Sequence, residues 1–264
     1  MKKLIRGHEN FRETFVSEHR ELLEELSHHQ KPRVLFITCS DSRVDPNLIT
    51  QAGIGELFVI RNAGNLIPPF GAANGGEGAA VEYAISALNI EQIIVCGHSH
   101  CGAMKGLLQL GKLEEQMPLV YDWLRHADAT LRLVKDNYSQ YSGDQLLEVT
   151  IAENVLTQIE NLKTYPVVRS KMFQGKLNIY AWVYHLETGE VLAYDPETHQ
   201  YAAPQSQITM ASNKAVSTAP PAMCGLPYHS DDESAPLHAS DVAPWLSVEQ
   251  AERIYRGSAA SKRR

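Results

Sequence analysis

The segment RVLFITCSDSR, residues 33–43, decides how the rest of the chain is read. Its first half is an apolar run of strand length, the pattern of a strand buried on both faces. The run ends in a thiol, a carboxylate and a guanidinium at alternate positions, Cys39, Asp41 and Arg43. On an extended chain that spacing points all three side chains the same way. Residues 56–60, 92–96 and 177–184 repeat the apolar run. Helical periodicity fills the intervals. Phe11, Phe15, Leu22, Leu23 and Leu26 make 9–27 an amphipathic helix, and 76–88, 118–135 and 144–164 read as helices too. In the last, Ile151, Val155, Leu156, Ile159 and Leu162 form a stripe. Alternating strands and helices predict an α/β fold, a mostly parallel β-sheet flanked by helices, behind an N-terminal helical arm. HLETGE, 185–190, supplies a turn that pairs 177–184 with 190–194 as a closing hairpin.

With 264 residues, 44% apolar and 21% charged, the chain suits one substantial domain plus additional material. A formal charge of -7 argues against nucleic acid or an anionic membrane as partner and favours small substrates. No apolar run approaches the roughly 20 residues of a membrane span, and MKKLIRGHENFRE lacks the apolar centre of a signal peptide. The expected setting is the cytosol. There, Cys39, Cys96, Cys101 and Cys224 read as metal ligands or small buried residues and not as a disulfide framework.

Function in an open α/β sheet gathers at the carboxyl ends of the strands. One strand ends at Cys39, and 92–96 runs into CGHSHCGAMKG, which delivers His98 and Cys101 to the same edge. Thiolate and imidazole are ligands that Zn²⁺ prefers, and three protein ligands leave a fourth tetrahedral position open. H-x-x-C alone is a chance pattern; beside Cys39-x-Asp41-x-Arg43 it gains weight. The competing reading makes both cysteines small core residues. His100 reads as a structural or shuttle histidine pointing away from the ligands, and His28 and His29 as solvated. Cys96, inside its strand, reads as inert. FGAANGGEG, 70–78, lacks the spacing of a phosphate cradle and reads as a loop that starts the following helix.

CSDSR at 39–43, RNAGN at 61–65 and GHSHCG at 97–102 together resemble the signature segments of the β-class carbonic anhydrases, over roughly residues 10–197. The resemblance implies one Zn²⁺ per subunit on Cys39, His98 and Cys101, and reversible hydration of CO₂ to bicarbonate by zinc-bound hydroxide. It implies that Asp41 orients that nucleophile while Arg43 keeps Asp41 ionised and off the metal. It implies a CO₂ pocket made of Gln30, Phe58 and Tyr83 from the partner subunit, with the backbone N–H of Gly102 beside Cys101. One subgroup that closes reversibly has a tryptophan where Phe36 stands here, so the open form is expected. Partner-supplied pocket residues imply a homodimer or a dimer-based higher oligomer, with a hexamer the expected form.

After about residue 200 the composition turns to Ala, Ser and Pro, without clustered large apolar residues. In PWLSVEQAERIYRG, Ser247 and Gln250 form a capping box and Gly257 suits a helix stop. The expected organisation is an arm over 1–32, a zinc-binding catalytic domain over 33–197, a flexible linker over 198–243, and a recruitment helix with its tail over 244–264. That layout resembles the carboxysomal β-carbonic anhydrases of cyanobacteria. The resemblance implies location in the carboxysome lumen, supply of CO₂ to Rubisco, and a scaffold partner bearing a γ-carbonic-anhydrase-like domain. Trp245, Leu246, Ile254 and Tyr255 are the expected anchors. Two alternatives compete: a hydrolase of the same fold acting on CS₂ or COS, and an adaptor whose zinc is structural.

Overall fold

The computed structural model describes residues 1–73 and 75–204. The expected linker and hook, with Cys224, Trp245, Leu246, Ile254 and Tyr255, lie outside the described residues, apart from the linker's first positions.

The strands are β1 (Val34–Cys39), β2 (Leu57–Asn62), β3 (Gln92–His98), β4 (Asn178–Tyr184), β5 (Val191–Asp195) and β6 (Gln200–Ala202), in one sheet of order β2-β1-β3-β4-β5-β6. The first four are parallel, and the last two extend the edge antiparallel. The hairpin falls at HLETGE as its turn residues require; β6 is an addition without a clear sequence signal. The arm carries α1 (Lys2–Glu13), α2 (Phe15–Glu18) and α3 (Arg20–His28). α4 (Pro46–Thr50) follows β1, and α5 (Gly76–Ser86) links β2 to β3. Between β3 and β4 come α6 (Gly102–Leu107), α7 (Leu113–Gln116), α8 (Pro118–Leu124), α9 (Asp128–Asn137), α10 (Gly143–Lys163) and α11 (Pro166–Phe173).

Two expected helices are broken. In the arm, the Thr14 hydroxyl donates to the Asn10 carbonyl and the Ser17 hydroxyl to the Glu13 carbonyl, at 2.7 and 2.8 Å. Hydroxyls bonded back to the preceding turn loosen and bend a helix, and α1, α2 and α3 replace the single run over 9–27. Over 118–135, a 3₁₀ turn at Arg125–Ala127 separates α8 from α9 and keeps Leu124 and Ala127 both buried.

One sheet face, with Leu35, Ile37, Ile93, Val95 and Ala181, packs under α5 and α10 in the main core. The other carries a smaller cluster in which Phe36 meets Trp182 edge-on, ring centroids 6.1 Å apart. On the first face α10 lies very close to β3: a Cβ on Gly97 would sit 2.8 Å from Val155 Cγ2 and 3.1 Å from Ile151 Cγ2. The next residue is His98. From β1 the chain goes to β2 on one side, then returns to β3 on the other. Loops leaving β1 and β3 therefore diverge, which opens a crevice at the carboxyl ends of these two strands.

Candidate metal centre

The crevice receives Cys39 from the last position of β1, His98 from the last position of β3 and Cys101 from the residue that caps α6. Their ligand atoms all lie within 4.8 Å of one another, and all three side chains are buried. His98 Nδ1 is 2.9 Å from the Ser99 carbonyl oxygen. A carbonyl can only accept, so Nδ1 carries the proton and Nε2 offers its lone pair to the centre. That Nε2 is buried without any hydrogen-bond partner. A polar atom so placed is costly unless a cation occupies the centre.

The two sulfurs share one negative charge when no metal neutralises them. Cys39 is held well below the usual thiol range, chiefly because Cys101 donates to it, with the Gly64 amide adding to the effect against burial. Cys101 is pushed up by the same contact and by burial. A divalent cation removes this asymmetry by stabilising both thiolates. Two thiolates and one imidazole form a three-ligand donor set of the kind that suits catalytic Zn²⁺. Cys96 takes no part: it is fully buried, its pKa is pushed up to about 12 by burial, and its thiol donates to the Gly97 carbonyl at 3.4 Å.

Asp41 and Arg43 come together, but not through an extended chain. The segment turns after β1, with the Val44 amide donating to the Asp41 carbonyl at 3.0 Å, and this folds Arg43 back. Arg43 Nε donates to Asp41 Oδ1 at 2.9 Å, Nη2 to Oδ2 at 2.8 Å, and the Arg43 amide to Oδ1 at 3.0 Å. This fork holds the Asp41 carboxyl well below the usual carboxylate range. Asp41 Oδ2 sits 3.9 Å from His98 Nε2, beside the centre. From β2, Arg61 clamps the same turn by donating to the Asp41 carbonyl at 2.8 Å and the Cys39 carbonyl at 3.3 Å.

The remaining sequence candidates lie farther out. Phe58 on β2 and Tyr83 on α5 pair with ring centroids 6.1 Å apart, Tyr83 being 48% exposed. Gln30 is exposed between α3 and β1. Gly102 opens α6, a position whose amide has no intrahelical acceptor. His100 adopts a left-handed backbone (φ 55°), not an extended one, and its Nε2 pairs with Glu187 from the β4–β5 turn. Glu187 also accepts the Ser99 hydroxyl at 2.9 Å. Reading the sequence missed Arg61, Ser99, Glu187 and the Gly64 amide. RNAGN contains Arg61 and Gly64 and GHSHCG contains Ser99, but their roles run through main-chain atoms or to Glu187 in a distant turn, which the segments do not signal.

The carbonic anhydrase family profile matches residues 34–191. The carbonic anhydrase of Synechococcus elongatus is 56% identical over 98% of this chain and 100% of its own length. That of Synechocystis sp. is 55% identical with the same coverage. A solved structure described as the β-carbonic anhydrase CcaA superposes with a TM-score of 0.77 at 64% identity, covering 78% of this chain and 93% of its own.

Proposed function

The chain belongs to the carbonic anhydrase family, in its β class, and from that premise we propose how its residues divide the work of interconverting CO₂ and bicarbonate. Cys39, His98 and Cys101 hold Zn²⁺. Bound there, the metal supplies a Lewis acid that brings the pKa of water from 15.7 toward about 7. The observation that carries the reading is the unpartnered, buried His98 Nε2 facing two cysteine sulfurs beside an ionised carboxylate.

Asp41 accepts a hydrogen bond from the nucleophile at Oδ2 and so orients it, while Arg43 occupies both carboxylate oxygens and keeps Asp41 from becoming a fourth ligand. The Ser99 carbonyl fixes the imidazole tautomer and ring plane. The free Gly102 amide is the polar contact for the substrate oxygen. Gln30, Phe58 and Tyr83 serve the site of a second copy; what supports this is the exposure of Gln30 and Tyr83 in the single chain. The assembly is then at least a dimer, and a hexamer of three dimers is the proposed form.

The expected linker over 198–243 begins later, because β6 (Gln200–Ala202) belongs to the sheet; residues 205–243 are proposed as linker and 244–264 as the element that recruits the enzyme to a carboxysome scaffold protein with a γ-carbonic-anhydrase-like domain, with supply of CO₂ to Rubisco as the purpose. Similarity to both cyanobacterial enzymes over 98% of the chain supports a shared role for this region. Stopped-flow CO₂ hydration tests the chemistry: Asp41→Ala should retain zinc and lose most turnover, and full turnover would refute the role of Asp41. Deleting 244–264 should spare turnover and abolish binding to the scaffold; unchanged binding would refute the recruitment element.

A further inference from the structure

We propose that Trp123 and Asn154 are positioning residues for the metal centre, pinning Gly64 so that its amide donates to the Cys39 sulfur. The inference rests on zinc binding at Cys39, His98 and Cys101 and goes beyond it.

The Gly64 N–H donates to Cys39 Sγ at 3.4 Å. In a trans peptide the N–H and the preceding C=O point in opposite directions in one plane. The oxygen at the far end of that plane, on Ala63, accepts from Trp123 Nε1 on α8 at 2.8 Å. A bond to that oxygen therefore sets the direction of the N–H. On the other side of the same residue, the Gly64 carbonyl accepts from Asn154 Nδ2 on α10 at 3.0 Å.

Asn154 is buried, and its own orientation is fixed. Its Oδ1 accepts Gln158 Nε2 at 3.0 Å and the Thr130 hydroxyl at 3.4 Å, so its NH₂ is the end that faces Gly64. Gly64 itself has φ +82°, and a Cβ there would lie 2.9 Å from Met104 Cε and 3.1 Å from Ala103 Cβ. The residue is thus closed in by α6, held by α8 and α10, and left with one direction for its N–H.

A hydrogen bond to a ligating sulfur draws electron density from the thiolate, which tunes both the hold on the metal and the metal's acidity. Two thiolates oppose that acidity, and the Gly64 amide offsets part of their donation. Hydrogen-bond partners of metal ligands commonly account for 10–100-fold in metal affinity or activity.

The test uses the full chain loaded with Co²⁺ in place of zinc, read by the thiolate-to-cobalt charge-transfer band and by the rate of cobalt loss to a chelator. Trp123→Phe, which keeps a ring but no N–H, and Asn154→Leu should each move the band to lower energy and speed cobalt loss about tenfold. Tyr165→Phe removes a bond to the Pro68 carbonyl, farther along the same loop and outside the Asn154 network, and should change neither readout. An unmoved band in cobalt-loaded Trp123→Phe, or an equal shift in Tyr165→Phe, would overturn the inference. If a variant fails to fold, the cadmium-loaded wild type decides: a scalar coupling between the Gly64 amide proton and cadmium is expected, and its absence overturns the inference. Wild type that takes up no cobalt would instead refute the metal reading beneath it.

Discussion

Removing the Arg43 guanidinium should convert Asp41 from an orienting carboxylate into a competing ligand. Asp41 Oδ2 already lies 3.9 Å from His98 Nε2, so a small side-chain rotation suffices once the fork is gone. The fork consists of two charge-assisted bonds at 2.8 and 2.9 Å. The Asp41 side chain is 17% exposed but that of Arg43 is 54% exposed, so solvent screens the pair. Hydrogen-bond partners around a metal site commonly account for 10–100-fold in activity, and screening puts Arg43→Ala near the lower end, a fall of roughly 10-fold in kcat/KM at unchanged zinc content. Arg43→Lys keeps the charge and loses the fork, so it should fall between the two. A double-mutant cycle with Asp41→Ala separates this role from a direct one, using stopped-flow CO₂ hydration and metal analysis. If Arg43 acts only through Asp41, its removal from the Asp41→Ala protein costs nothing further. Additive losses, or full activity in Arg43→Ala, would refute the reasoning.

Gly97→Ala should drive α10 away from β3, because the new Cβ meets Val155 and Ile151 below normal contact distance. The expected cost is about 2 kcal/mol, read as a drop of about 4–8 °C in Tm; an unchanged Tm would show that α10 yields freely. Tyr138 donates to Glu153 at 2.5 Å, and chiefly for that reason its pKa rises from 10.0 to about 12. The folded state thus holds this proton more tightly than the unfolded one. The resulting stability is present below about pH 10 and is lost as pH rises toward 12; Tyr138→Phe should flatten that part of the Tm–pH curve, and an identical curve would contradict the assignment. Cys96→Ser should leave zinc stoichiometry and the hydration rate of loaded protein unchanged while lowering Tm by a few degrees, since it buries a hydroxyl in an apolar strand. Loss of zinc in that variant would count against the three-ligand site.

The sheet was legible because parallel strands packed under helices on one face and carrying aromatic side chains on the other read as apolar runs, as 33–38 and 92–96 do. The ligands were legible because two such runs end in Cys39 and in His98-x-x-Cys101. The alternation of Cys39, Asp41 and Arg43 misled in one respect: it suggested an extended segment, whereas a tight turn brings Arg43 onto Asp41. A turn hydrogen bond between backbone groups has no residue signature of its own. The support behind the ligands was harder to read. Trp123 and Asn154 reach Ala63 and Gly64 across 60 and 90 residues of sequence, and what they bond is main chain. One signal was available: Asn154 and Gln158, four apart, interrupt the apolar face of α10 that carries Ile151, Val155 and Leu162, and polar groups on such a face have to be satisfied by something buried.

The central claim is that a metal held by Cys39, His98 and Cys101 drives CO₂ hydration. Its most direct test is the stopped-flow CO₂ hydration rate of the purified chain at alkaline pH, measured on one sample as zinc is stripped by a chelator and then restored. The rate should fall to the uncatalysed background on stripping and return in proportion to zinc up to one equivalent per chain. A rate that survives zinc removal, or fully loaded protein that hydrates CO₂ no faster than buffer, would contradict the claim.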